Sequence, residues 1–274
     1  MRDTRAHGLK AVVFDWAGTM VDYGSLAPMT VFVEVFKEFG VQITPEEARA
    51  PMGLPKLEHI RALGRLHRVA AAWEQQHGRP FEDRDAERLY ERFAPRNREV
   101  VRHYADPVPG AVEMVGRLRE RGLKIGSTTG YTREVMEELF PAAAVKGYAP
   151  DCLVCADEVT VARPSPLMMY KCFLDLAVWP AAAVIKVDDT APGIAEGLAA
   201  GSWTVAVSVT GNAFGLSAEE AVRLPEAVFN ERRAAAAAEL QRTGAHYVVD
   251  SVADLMPVIQ DIEEKLHAGV GPGQ

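Results

Sequence analysis

At 274 residues, with 48% hydrophobic and 25% charged side chains, the chain can bury a core and reads as a soluble globular enzyme of one large or two modest domains. A formal net charge of −8 argues against nucleic acid or an anionic membrane surface as partner and leaves small molecules or proteins. No apolar run approaches the roughly 18–20 residues that cross a bilayer, residues 1–8 lack the apolar stretch of a secretory signal, and three cysteines are too few for a disulfide framework, so a cytoplasmic location is expected.

In chain order, the first strong element is the apolar, β-branched run at 12–14, which reads as a buried parallel strand and stops at Asp15. Gly18 and Thr19 then turn the chain. Residues 25–104 hold no convincing strand, carry many charges and keep helical spacing, as at 83–103, where Leu89, Phe93 and Val100 make a sparse apolar stripe. The prolines and glycine of 106–110 mark a return. Strand patterns at 123–127, 152–154, 184–187, 204–209 and 247–249 then alternate with helical ones at 110–121, 132–140, 166–176, 192–200 and 252–267. This order predicts an α/β fold: a Rossmann-like doubly wound parallel sheet core, 1–24 and 105–274, with an inserted α-helical cap domain at 25–104. The alanine-rich stretch 232–242 reads as a surface helix and 267–274 as a frayed end.

Ligands of such sheets bind at the carboxyl ends of the strands, which is where the polar residues gather. Asp15 ends the first strand, Thr128-Thr129-Gly130-Tyr131 another, and Asp188-Asp189-Thr190 a third, while Arg163 precedes a proline-started helix and the insertion supplies Met52, Lys56 and His59. Each has a plain alternative when taken alone. Asp15, Thr128 and Thr129 could cap or turn the chain, Arg163 could pair at the surface, Lys56 could be solvated, and His59 could pack on its helix. Together, Asp15 and Asp189 offer hard oxygen ligands suited to Mg²⁺, while Thr129, backbone amides near Gly18 and Gly130, and Arg163 would surround a tetrahedral dianion. A carboxylate held in such a site is a plausible nucleophile toward phosphorus. Cys152 and Cys155 form a C-x-x-C with no second ligand pair nearby, and strand packing is the favoured reading.

Asp15-Trp16-Ala17-Gly18-Thr19, Thr129-Gly130-Tyr131, Arg163-Pro164-Ser165-Pro166 and Val187-Asp188-Asp189-Thr190 resemble the four motifs of the haloacid dehalogenase superfamily. Ala17, together with Pro51-Met52-Gly53, Lys56 and His59, resembles its branch that cleaves carbon–phosphorus bonds, and the likeness runs from about 10 to 262. The resemblance implies an Asp15 nucleophile, a Schiff base on Lys56, and Mg²⁺ held by Asp15, Asp189 and the Ala17 carbonyl. It further implies that Thr129, Gly130 and Arg163 hold a small-molecule phosphonate, with Met52, His59 and Tyr131 around the imine. A homodimer is implied as well; the apolar residues of 30–36 could supply its contact, although cap core is the favoured reading.

The motif also departs from its relatives in an informative way. Superfamily phosphatases usually carry a second aspartate two residues after the nucleophile, where it protonates a departing alkoxide. A carbon leaving group has no such oxygen and needs an electron sink, which a protonated Lys56 imine supplies, so Ala17 and Lys56 explain one another. Gly193 stands where many members have a metal-supporting aspartate, and Asp188 is the candidate to supply that charge; Ala162 replaces a common glycine. The alternatives are a phosphate-ester phosphatase or mutase, a metal-free dehalogenase, and a catalytically silent binding protein.

Overall fold

The computed structural model describes residues 8–273. Strands β1 (Ala11–Phe14), β2 (Lys124–Thr129), β3 (Cys152–Cys155), β4 (Val184–Asp188), β5 (Trp203–Val207) and β6 (Tyr247–Val249) form one parallel sheet in the order β3-β2-β1-β4-β5-β6. Between β1 and β2 lie α1 (Ala27–Glu38), α2 (Pro45–Arg49), α3 (Lys56–Arg65), α4 (His67–His77) and α5 (Asp83–Val101). The remainder supplies α6 (Ala111–Glu120), α7 (Arg133–Val145), α8 (Leu167–Leu176), α9 (Ala191–Ala199), α10 (Ala218–Arg223), α11 (Glu226–Gln241) and α12 (Leu255–His267).

Successive strand residues point to opposite faces, so each face needs its own cover. Val12 and Phe14 of β1 pack with apolar residues of α6, α7 and α12, while Ala11 and Val13 pack with Met168, Met169 and Cys172 of α8. The chain leaves β1 outward through β2 and β3, then returns to β4 on the other flank of β1. That reversal opens a crevice at the carboxyl ends of β1 and β4. The five helices after β1 bury a separate apolar cluster, in which Phe32 stacks on His59 at 3.9 Å and on Phe93 at 4.3 Å. Val31, Phe32, Val35 and Phe36 of α1 belong to that cluster, so they serve the insertion's interior and not an exposed dimer contact.

The passage into α1 is tightly bent, with Asp22, Gly24 and Ser25 at φ values of 55°, 87° and 51°. The Asp22 carboxylate accepts the free N–H groups of Leu26 (2.9 Å) and Ala27 (3.0 Å), which caps the helix from outside it. Helix α7 runs to Val145, past the proline at 141 where the sequence pattern stopped, because Ala143 beyond it is fully buried against the core. The expected fraying of the carboxyl end is not seen up to Pro272, whose carbonyl lies 2.6 Å from His246 Nε2; residue 274 lies outside the described residues. Cys152 meets Cys172 of α8, Sγ to Sγ 3.4 Å, and Cys155 packs in the cluster on the other face, so the C-x-x-C spacing brings no thiol pair together.

Candidate active site

Asp15 follows β1 directly, and its N–H donates to Val187 O of β4 at 2.9 Å, which sets its carboxylate beside the end of β4. Asp15 Oδ1 lies 2.8 Å from Arg163 Nη1. Asp188 and Asp189 close β4, and the three carboxylates offer oxygens within 4.8 Å of one another, all buried. Thr19 Oγ1 donates to Asp189 Oδ1 (3.3 Å) and the Asn212 N–H to Asp189 Oδ2 (2.7 Å). Gly18 is required here: its φ is +83°, and a Cβ on it would lie 2.1 Å from Asp189 Oδ2.

Two charged residues that the sequence motifs do not reveal complete this cluster. Lys186, wholly buried inside β4, places Nζ 3.0 Å from Asp188 Oδ2, 3.3 Å from Glu196 Oε2 and 2.7 Å from Thr128 Oγ1. Glu196 of α9 also takes Arg163 Nε at 3.0 Å, and Arg163 Nη2 reaches Asp188 Oδ2 at 3.2 Å and Thr128 O at 2.8 Å. Thr128 thus joins an ion network and is no helix cap, while Thr129 Oγ1 accepts from the Tyr131 N–H at 3.2 Å.

Four buried carboxylates (Asp15, Asp188, Asp189 and Glu196) face two buried cations, Arg163 and Lys186, a deficit of positive charge in a low-dielectric place. Burial first, then the Asp188 charge, pushes Asp15 up to about 6 against the pull of Arg163 and Lys186. Burial and the charges of Asp15 and Asp188 drive Asp189 well above the usual carboxylate range. Burial also raises Asp188, but Arg163 and Lys186 more than reverse it and hold that group low. A hard-oxygen cluster short of positive charge can hold a divalent cation.

The insertion meets this cluster through the loop before α3. Gly53 (φ +92°) presses on Thr190, where a Cβ would lie 2.2 Å from Oγ1. A Cβ on Gly130 would lie 3.1 Å from Leu54 O, so the loop is wedged between the ends of β2 and β4. Lys56, the first residue of α3, is only 8% exposed, and its Nζ stands 4.9 Å from the Tyr131 ring centre and 5.9 Å from that of Phe32. Burial lowers its pKa to about 8, with Arg163 assisting and Asp15, Asp189 and Asp22 opposing. A cavity of about 20 Å³ brings together Asp15, Ala17, Met52, Lys56, Thr129, Gly130, Tyr131 and Arg163.

Asp189 lies beside that cavity, and His59 lies behind Lys56 in the insertion's core. His59 Nε2 is 2.9 Å from Ala48 O, so Nε2 is the donor and Nδ1 of the neutral ring carries the lone pair; Nδ1 is buried with no partner among the described residues. Burial and the nearby Lys56 charge keep the ring's pKa well below its ordinary value.

A buried aspartate thus follows the strand at the switch point of a parallel sheet, and a helical insertion packs over it. The chain belongs to the haloacid dehalogenase-like hydrolases, matching that family over residues 9–201. It is 52% identical to the phosphonoacetaldehyde hydrolase of Paraburkholderia xenovorans (strain LB400) over 264 residues, 96% of this chain and 99% of the relative. It is 47% identical to the phosphonoacetaldehyde hydrolase of Aeromonas hydrophila subsp. hydrophila over 266 residues, 96% and 95% of the two chains. The crystal structure of a phosphonoacetaldehyde hydrolase-like protein from Oleispira antarctica superimposes with a TM-score of 0.94 at 43% identity, covering 96% of each chain. Within its class, the chain is a member of the phosphonoacetaldehyde hydrolase family. Among the described residues no helix is long and apolar enough to cross a membrane.

Proposed function

We propose that the protein hydrolyses the C–P bond of phosphonoacetaldehyde to acetaldehyde and phosphate, with 1–24 and 105–274 as catalytic core and 25–104 as a cap. The observation that carries this reading is the placement of Lys56, buried and with a lowered pKa, in one cavity with Asp15 and an alanine at 17. Lys56 attacks the aldehyde as the free amine, and the hydroxyl of the resulting carbinolamine takes up a proton from solvent and leaves as water, giving an iminium. His59, one helical turn behind Lys56, is held neutral by burial and the Lys56 charge, so its free Nδ1 serves as a transient relay for the proton that the amine sheds and not as its resting place. An Asp15 oxygen then attacks phosphorus, and the C–P electrons move into the carbon skeleton to neutralise the iminium as an enamine. Water hydrolyses the aspartyl phosphate, restoring Asp15. Protonation of the enamine carbon and hydrolysis of the resulting iminium release acetaldehyde and Lys56.

Arg163 and Thr129, with amides at Gly130, hold the phosphonate oxygens, and Met52 and Tyr131 enclose the two-carbon portion and exclude water. Mg²⁺ would be held by Asp15, Asp189 and the Ala17 carbonyl, where its charge neutralises phosphonate and carboxylates that must approach one another.

The test supplies phosphonoacetaldehyde and Mg²⁺ and follows phosphate and acetaldehyde, with phosphate monoesters in parallel. Equal release of both products, with the esters left intact, is expected. Turnover of esters alone would replace this reading with a phosphatase.

A further inference from the structure

Arg49, the last residue of α2, reaches out of the insertion and binds three places in the rest of the chain. Its Nη1 donates to Gly24 O (2.7 Å), in the bend that leads into α1, and to Asn212 Oδ1 (3.1 Å); its Nη2 donates to Gly215 O (3.0 Å). Asn212 returns a bond, Nδ2 donating to Arg49 O at 3.2 Å. The backbone is shaped for this guest: Gly215 has φ +68°, and a Cβ there would lie 2.9 Å from Arg49 Nε. The same Asn212 donates its N–H to Asp189 Oδ2 at 2.7 Å. One asparagine therefore grips the insertion with its side chain and a site carboxylate with its backbone.

The geometry points to Arg49 and Asn212 as positioning residues that hold the cap shut and tie its closure to the seating of Asp189. The inference rests on the reading that Lys56 acts across the cavity from Asp15, since Arg49 begins the stretch that carries Met52, Gly53 and Lys56. A planar guanidinium with donors on two edges can engage the bend and the 212–215 loop at once, which a lysine cannot. Lifting the cap removes both partners of the Asn212 amide, and its backbone, with the bond to Asp189, is free to shift. The coupling runs both ways: whatever orders Asp189 favours the shut cap.

The full-length protein is made as Arg49→Ala, Asn212→Ala, the double variant and Arg49→Lys. Asn212→Ala keeps the N–H to Asp189 and removes only the grip on Arg49. Amide exchange over residues 50–56 is read without substrate, Mg²⁺ affinity by titration, and KM and kcat by phosphate release. Each alanine variant is expected to speed exchange by about tenfold, to weaken Mg²⁺ by several-fold, and to raise KM more than it lowers kcat. The double variant should lose less than the sum of the two singles, because both break the Arg49–Asn212 side-chain bond, and Arg49→Lys should recover part of the loss. Unchanged exchange and Mg²⁺ affinity, or fully additive losses, would overturn the inference. Should Arg49→Ala fail to fold, Asn212→Ala decides alone: faster exchange with weaker Mg²⁺ supports it, and no change overturns it. Exchange needs no substrate, so a wild-type protein inert toward phosphonoacetaldehyde would sink the proposed function without touching this result.

Discussion

The carboxylate of Asp188 occupies the space that a side chain on residue 193 would need: a Cβ built on Gly193 would lie 1.9 Å from Asp188 Oδ2 and 2.0 Å from its Cγ. A negative charge reaches this spot from the end of β4, beside Arg163 and Lys186 at 3.2 and 3.0 Å, and not from α9. Asp188→Gly leaves those two cations short of a buried partner and should cost about 3–5 kcal/mol. Gly193→Asp alone forces two like charges into one space and should cost at least as much. The double variant moves the carboxylate from strand to helix and should regain most of the stability and the Mg²⁺ affinity. Urea unfolding with and without Mg²⁺ checks this; losses that simply add would show that the two positions do not share a site.

Ala17→Asp should impair C–P cleavage. Ala17 shares the cavity with Lys56, and a new carboxylate there favours the ammonium form, by about 1–3 pKa units at contact distance. The free amine at pH 7 then falls about tenfold or more, and kcat/KM should fall with it. The measurement is kcat/KM against pH, whose rising limb should move upward; an unmoved limb would mean that residue 17 does not sense Lys56.

Lys56 should make the protein less stable at neutral pH than in mild alkali. Burial lowers its folded-state pKa from 10.5 to about 8, so the unfolded chain binds more protons between those values and stability rises with pH across that window. The penalty is complete below about 8 and gone above 10.5. Lys56→Met removes it, so the variant should exceed the wild type in unfolding free energy at pH 7 and lose that advantage by pH 10.5. A constant difference at both ends would contradict the lowered pKa.

Gly53→Ala should disturb substrate capture and spare the fold. The φ of +92° disfavours any side chain, and the Cβ would strike Thr190 Oγ1 at 2.2 Å, so the loop must lift from β4. KM should rise about tenfold or more while the melting temperature moves by only a few degrees, because the clash lies at the contact between insertion and sheet and not in either core. A wild-type KM would show that the loop tolerates the lift.

All six strands and the helical run between the first two were legible because parallel strands covered on both faces leave short, mostly apolar runs bounded by polar or turn-forming residues. Asp15 was conspicuous for the same reason, as an acid at the end of such a run. Lys186 had a signal too, a lysine inside an apolar strand. Its partners Thr128 and Glu196, however, come from β2 and α9, and nothing in the local pattern sets them beside it. Arg49 and Asn212 are 163 positions apart, and no spacing rule joins them. His59 shows another limit. Helical spacing correctly puts it one turn from Lys56, but the pull of Phe32 and Ala48 O on its ring decides that it sits behind the lysine and off the cavity wall.

The most direct test of the account adds borohydride to the protein during turnover of phosphonoacetaldehyde and reads the intact mass and the modified peptide. A two-carbon adduct on Lys56, formed as phosphate release stops, is the expected result. Undiminished phosphate release with Lys56 unmodified would contradict the imine, and with it the explanation given for Ala17.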